Sequence, residues 1–189
     1  MLPQLELHRL EQNCQDWNVP TDAMLLISRL KARSLQSIAG SAAMTIGVHN
    51  QNWCRMNGNR KIRIVLADDH EVILNRVRGA LDHDFEVVAA VSNGQDAVSE
   101  VQRLDPDVLV TDISMPILDG LQAVHQLRGI NCRTRVVFLT VHADNYFVAA
   151  AFSAGASGYV TKSRVLTDLI PAIREAVQGR TYVSQSIKL

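Results

Sequence analysis

The chain predicts an α/β fold, a three-layer (βα)5 doubly wound parallel sheet. Three observations predict it. From Lys61 to Gly179, short apolar runs alternate with stretches whose apolar residues recur at helical spacing. The runs are apolar nearly throughout, as strands buried on both faces are. Their borders carry Gly, Pro, Asn and Asp, the residues that punctuate turns. Strand and helix in strict alternation imply a parallel sheet covered on both sides.

Each element has a local reason. Strand one is Lys61 to Ala67 (KIRIVLA). Helix one runs from Glu71 to Leu81, with Val72, Ile73, Val77, Ala80 and Leu81 on its apolar side. Strand two is about Glu86 to Val91. Asn93 can cap helix two, whose Ala97, Val98, Val101 and Leu104 keep helical spacing until Asp105-Pro106 stops it. Strand three, Val108 to Val110, ends at Asp112, and a turn segment with Pro116 and Gly120 follows. Helix three spans Leu121 to Arg128 and ends at Gly129. Strand four is Val136 to Leu139, and helix four is Asn145 to Ser153, closed by Gly155. Strand five is Gly158 to Val160. Helix five starts near Thr167 and ends before Gly179, which puts Pro171 in its first turn, where a missing N–H costs least. Five such units suit the flavodoxin-like strand order 2-1-3-4-5.

Residues 1–59 read differently. Leu2, Leu5, Leu7 and Leu10 suggest a short amphipathic helix at best, and Leu26, Ile27, Leu30 and Ile38 could carry another after Pro20-Thr21. The expectation is an N-terminal extension, poorly structured or partly helical, without a motif. A helix that docks on a partner is the sharper alternative. Met56, just before Asn57 to Lys61, also has the spacing of an ordinary domain start, so a mis-assigned start codon stays open.

Composition narrows the function classes. The 189 residues hold 19 Lys+Arg and 19 Asp+Glu, so net charge favours neither nucleic acid nor a membrane surface. Three scattered cysteines, Cys14, Cys54 and Cys132, suit a reducing cytoplasm, and no Cys or His pair has zinc-ligand spacing. The N-terminus is too charged for a signal peptide.

The chemistry lies at the strand ends, where ligands bind in open α/β sheets. They deliver Asp68-Asp69, Asp112, Thr140 and Lys162, in that order. Singly, each has an ordinary reading. Asp68 and Asp69 could cap a helix, Asp112 could be a loop acid, Thr140 a strand residue and Lys162 a solvated charge. Crowded carboxylates repel, which raises a pKa or calls for a cation, and hard oxygen donors suit Mg2+.

As an ordered set these residues resemble the receiver domain of two-component response regulators. Asp68-Asp69-His70, Gly155-Ala156-Ser157-Gly158-Tyr159 and Gly179-Arg180 resemble its NarL/FixJ class. The resemblance covers about Arg60 to Ser186, with a receiver at 60–180 and the start of a linker at 181–189. It implies that Asp112 accepts a phosphoryl group from a sensor histidine kinase. It implies Mg2+ bound directly by Asp69 and Asp112, through water by Asp68, and by the backbone carbonyl of Ser114. Lys162 and Thr140 would serve the phosphate oxygens. Tyr159, otherwise plain packing, would be the aromatic that moves inward when Thr140 shifts. His142, two residues after Thr140, falls where receivers tune water access, while His70 reads as structural or exposed and neither His125 nor His142 has catalytic spacing. The implied protein is a cytoplasmic phosphoacceptor that switches partner binding or transcription, can dimerise when phosphorylated and turns over no substrate.

Two departures stand out. Ser163 follows Lys162 where many receivers have proline, so no cis bond is expected there. The chain stops at Leu189, leaving no room for the helix-turn-helix usual in the class. Direct DNA binding is therefore not expected unless the chain is a fragment of a transcription regulator. The rival from another class is a Mg2+-dependent phosphatase with an aspartyl nucleophile. It needs a general acid two residues after the nucleophile, and that position is Ser114. A nucleotide-binding domain would need a Gly-rich loop after strand one, which is missing.

Overall fold

The computed structural model describes residues 60–187. The possible helices before Arg60 and the start at Met56 lie outside them. Six parallel strands form one sheet in the order β2-β1-β3-β4-β5-β6. They are β1 (Ile62–Ala67), β2 (Phe85–Val91), β3 (Val108–Thr111), β4 (Arg135–Thr140), β5 (Gly158–Thr161) and β6 (Tyr182–Val183). The helices between them are α1 (Glu71–Leu81), α2 (Gly94–Leu104), α3 (Gly120–Gly129), α4 (Asn145–Ser153) and α5 (Val165–Val177).

The strands divide their side chains between two buried layers. Val65, Leu109, Val136, Phe138 and Tyr159 face one core, with Val98 and Val101 of α2, Val124 and Leu127 of α3 and Val148 of α4. Their strand neighbours Ile64, Leu66, Val108, Val110, Val137, Leu139 and Val160 face the other, with Val77 and Leu81 of α1 and Leu169 and Ile173 of α5. Both faces being covered is why the strands read as continuous apolar runs. Among the described residues, no helix is long and apolar enough to cross a membrane.

Caps set the helix starts. Asn93 accepts a hydrogen bond from Asp96 N at 2.8 Å, as the sequence suggested, and Asp105 ends α2 in a left-handed conformation (φ 43°). Asp119 caps α3 through Gln122 N at 2.8 Å. Helix α5 begins at Val165 rather than near Thr167, directly after a 3-10 turn over Lys162–Arg164. Pro171 is therefore inside the helix rather than in its first turn. The helix passes through it with one backbone donor fewer.

The sixth strand falls where a linker was expected to begin. Gly179 (φ +76°) turns the chain after α5, and Tyr182–Val183 then pairs with Gly158 and Tyr159. Thr181, Tyr182 and Val183 are β-favouring residues behind a helix-ending glycine, a signal short enough to pass unnoticed. Buried Ile187 closes the segment against the core that holds Tyr159.

Candidate functional site

β1 and β3 are neighbours, while the helices that follow them leave to opposite faces of the sheet. Their carboxyl ends therefore open a crevice. Ala67 pairs with Thr111, so the next residues, Asp68 and Asp112, emerge side by side. Asp112 N donates to Ala67 O at 2.8 Å, tying the second acid to the end of the first strand. Both acids are 3% exposed.

Lys162 comes from the end of β5 and reaches back across β4. Its Nζ lies 2.6 Å from Asp112 Oδ2 and 2.7 Å from Asp68 Oδ2. Burial works to lower the Lys162 pKa. The hydrogen bond to Asp112 and the close negative charges of Asp112 and Asp68 outweigh it and hold the ammonium above its ordinary value. Asp112 Oδ1 accepts from Ile113 N at 2.6 Å, so both oxygens of that carboxylate are engaged. Asp68 Oδ1 accepts from His70 N at 3.0 Å. Asp68 Oδ2 is buried with no hydrogen-bond partner. The nearby ammonium is an ion-pair neighbour that does not meet it at a hydrogen-bonding angle.

Asp69 and His70 complete the outer rim. The ligand atoms of Asp68, Asp69 and His70 lie within 4.8 Å of one another. His70 Nδ1 is 2.7 Å from Asp69 Oδ1 and 3.4 Å from Asp68 Oδ1. His70 is exposed, as expected, yet it touches both acids. Asp112 stands outside that trio, its carboxylate turned to Lys162. Hard carboxylate oxygens with one orphaned buried acceptor fit a small divalent cation of the Mg2+ kind.

The opposite wall is built from β3, β4 and β5. Thr140, the fully buried last residue of β4, accepts from His142 N at 3.3 Å through Oγ1. Ser114 Oγ and His142 Nε2 lie 3.0 Å apart across the mouth of the crevice. The His142 ring stacks on Phe147, centroids 4.1 Å apart. Burial, its largest influence, holds the His142 pKa below the usual histidine value against the pull of Asp112 and Asp144. Tyr159 is fully buried and its hydroxyl donates to His142 O at 3.0 Å. Burial first, then Asp112 and Asp144, push its pKa well above the ordinary tyrosine value.

The loop from Asp112 to Asp119 is held tightly. Gly120 N donates to Ile113 O at 2.8 Å, and Gly94 N donates to Leu118 O at 3.0 Å. Ile117 takes a left-handed conformation (φ 69°), unusual for a β-branched residue, with its side chain 82% exposed.

Of the residues singled out from the sequence, the fold brings Asp68, Asp69, Asp112, Ser114, Thr140 and Lys162 to one sheet edge, while Tyr159 lies in the core and reaches His142 O with its hydroxyl. Sequence reasoning missed the Ser114–His142 contact, because no local pattern joins two side chains from different loops. It also missed a hydroxyl–carboxylate cluster behind Lys162. There, buried Asp168 accepts from Arg164 Nε at 2.9 Å, from Thr167 Oγ1 at 2.7 Å and from Ser184 Oγ, and Thr161 Oγ1 lies 2.9 Å from Ser186 Oγ.

Comparison with known proteins agrees with this geometry. The family model of the response regulator receiver domain matches residues 64–174. The transcriptional regulatory protein DegU of Brevibacillus brevis is 35% identical over 129 residues, 67% of this chain and 55% of that protein. The response regulator UvrY of Escherichia coli is 33% identical over 128 residues, 67% of this chain and 59% of its own. The chain thus spans little more than half the length of these relatives. Among solved structures, a LuxR-family two-component response regulator from an Aurantimonas species has a TM-score of 0.65 at 32% identity, covering 68% of this chain and 93% of that one. The receiver domain of the putative response regulator NarL from Mycobacterium tuberculosis has a TM-score of 0.62 at 30% identity, covering 65% of this chain and all of that one. With its strand order, its acidic crevice and these relatives of the NarL/LuxR type, the chain belongs to the receiver-domain family of two-component response regulators.

Proposed function

We propose that the chain is a phosphoacceptor that takes a phosphoryl group on Asp112 from a sensor histidine kinase. The observation that carries this reading is the Lys162 ammonium held 2.6 Å from Asp112 and 2.7 Å from Asp68 in a strand-end crevice. A compact point charge there serves a phosphoryl group without forming a covalent bond to it. Asp68, Asp69, Asp112 and the Ser114 carbonyl would hold Mg2+. When bound, Mg2+ neutralises negative charge on the phosphoryl oxygens.

In the transfer, an Asp112 carboxylate oxygen forms a bond to phosphorus. The bond from phosphorus to the donor breaks, and its electron pair leaves with the imidazole of a phosphohistidine or the carboxylate of a small acyl phosphate. Lys162 must then exchange its contact with Asp112 Oδ2 for one with a phosphoryl oxygen. Thr140 gives up the His142 amide to donate its own proton to another. Phosphorylation adds roughly −1.5 to −2 charges, so both groups gain by the move. Tyr159 is already inward, its hydroxyl on the His142 carbonyl, so a shift of Thr140 and His142 also changes how Tyr159 is held.

The output is partner binding or transcription control in the cytoplasm, with homodimerisation on phosphorylation as one form of it. DegU, whose name is that of a transcriptional regulator, supports the transcriptional reading. The protein is not a turnover enzyme, since Ser114 lies where an aspartyl phosphatase needs its general acid.

Acetyl phosphate and intact-mass measurement test the proposal. Wild type with Mg2+ should gain one phosphoryl group that hydroxylamine removes, because an aspartyl phosphate is a mixed anhydride. Asp112→Asn should gain none, since an amide does not attack. Labelling of Asp112→Asn at the normal rate, or of wild type equally well in chelator, would refute it.

A further inference from the structure

The end of the sheet opposite the crevice carries a cavity of about 510 Å3. It lies among the amino ends of β1, β3 and β4, so the length of the strands separates it from Asp112. Among the described residues, five arginines line it, Arg60, Arg63, Arg128, Arg133 and Arg135, against two acids, Asp105 and Asp107. One acid is already spent. Asp107 takes Arg60 Nη2 on both oxygens, at 2.7 and 3.0 Å, and Arg63 N on Oδ2 at 2.8 Å.

The remaining guanidiniums are held by neutral groups or by none. Arg63 Nη1 donates to Leu104 O at 2.7 Å, and Arg128 Nη2 donates to Gly155 O. Backbone carbonyls fix these two side chains in place without cancelling their charge. Arg133 and Arg135 have no ion-pair partner among the described residues. Residues 1–59 hold five Lys and Arg against four Asp and Glu, so they carry no excess of negative charge to neutralise the cavity. Arginines whose charge is not cancelled, lining a concave site of this size, favour an anion with several oxygens. Among the described residues, no aromatic side chain lines the cavity, so none of them would stack on a base.

We infer that this arginine-lined cavity binds a small polyanion of the polyphosphate class, recognised through its phosphate chain. Free polyphosphate and the triphosphate of a nucleotide share this chemistry, and the two are separable. Titrate the full chain calorimetrically with inorganic tripolyphosphate, ATP and adenosine, in EDTA so that metal-dependent binding in the crevice is silent. Tripolyphosphate and ATP should bind with one site each and adenosine not at all. Tripolyphosphate without ATP would assign free polyphosphate, and ATP well ahead of tripolyphosphate would overturn recognition through the phosphate chain. Arg133→Gln with Arg135→Gln should weaken tripolyphosphate at least about tenfold, while Arg76→Gln with Arg78→Gln on α1 should leave it unchanged. Circular dichroism of each variant guards against loss of fold. The inference falls if tripolyphosphate shows no saturable binding, if the α1 pair weakens it equally, or if Lys162→Ala abolishes it, since the anion would then sit in the crevice.

Discussion

Gly120→Ala should damage both the stability and the phosphorylation of this protein, and Gly79→Ala should improve the first without touching the second. Both glycines lie in helices, and neither has a positive φ. The difference is what surrounds them. A Cβ on Gly79 meets nothing within 4 Å, whereas one on Gly120 would overlap the Asp112 carbonyl oxygen and sit 3.0 Å from Asp112 C and 3.2 Å from Ile113 Cα. The obstacle is backbone, so no rotamer change relieves it. Either α3 or the Asp112 peptide must retreat by roughly 1 Å, and overpacking of this kind costs about 1–3 kcal/mol, more where backbone must move. We expect a loss of about 3 kcal/mol for Gly120→Ala and a gain of about 0.5–1 kcal/mol for Gly79→Ala. A misplacement of about 1 Å at a reacting group costs on the order of a hundredfold in rate, so labelling by acetyl phosphate should slow by about that factor in Gly120→Ala. Paired urea melts and timed intact-mass spectra measure the two effects. A Gly120→Ala protein with the stability and labelling rate of wild type would refute the close approach of α3 to the Asp112 loop.

Two further outcomes concern buried charge. Burial acts to raise the pKa of Asp168, but hydrogen bonds from Arg164, Ser184 and Thr167 together with the Arg164 charge hold it below the usual carboxylate value. Its stabilisation is therefore present above the unfolded value near about 3.9 and is lost as pH falls through the lower native value. Asp168→Asn should cost about 2 kcal/mol in urea melts at neutral pH and almost nothing in strong acid; an equal cost at both would contradict the ionic origin. Lys162→Met should cost about 3 kcal/mol at neutral pH, because Asp68 and Asp112 lose their buried counter-charge. Since the Lys162 pKa is raised, that stabilisation is complete below about pH 10.4 and declines only as pH climbs through the higher native value. Melts at neutral pH in which the variant matches wild type would rule the clamp out.

The fold was legible where one-dimensional pattern determines it. Val108 to Val110 ending in an acid, Asn93 before a helical repeat and Asp105-Pro106 after it each carry their own signal, and the structure has those elements. The crevice was legible because strand ends are legible and parallel topology brings strand ends together. What stayed hidden depends on three dimensions. Pro171 suggested a helix start near Thr167, yet Val165 and Leu169 bury against the sheet, and that packing extends the helix upstream of its proline. The two residues of β6 are too few for a periodic pattern, and they form a strand because β5 offers an unpaired edge. Gly120 reads as a turn glycine, while its actual constraint is the Asp112 carbonyl pressed against its Cα.

How the crevice is tied to the rest of the sheet bears on which part can rearrange. Thr140 pairs with Thr161, the residue immediately before Lys162, and Tyr159 pairs with Val183. The Thr161 hydroxyl in turn meets Ser163 at 3.2 Å and Ser186 at 2.9 Å, and Ser184 reaches Asp168 of α5. Lys162 thus springs from a strand held on both edges and latched to α5, so its base is fixed and its reach is set by its flexible stem. α4 is differently placed. Asp144 makes no side-chain cap bond, in contrast to Asn93 of α2 and Asp119 of α3. Val141 before it is 64% exposed and Tyr146 in its first turn 49% exposed. At this end of the helix Phe147 stacks on His142, and His142 is itself held by Ser114 and Tyr159. A uniform parallel sheet resists local change, whereas a helix start without a side-chain cap, coupled to the crevice through His142, yields to it more readily. On the proposed function, a change in charge at Asp112 should therefore be met first by Thr140 and the segment from Val141 to Phe147, with β5 and β6 as the frame against which they move.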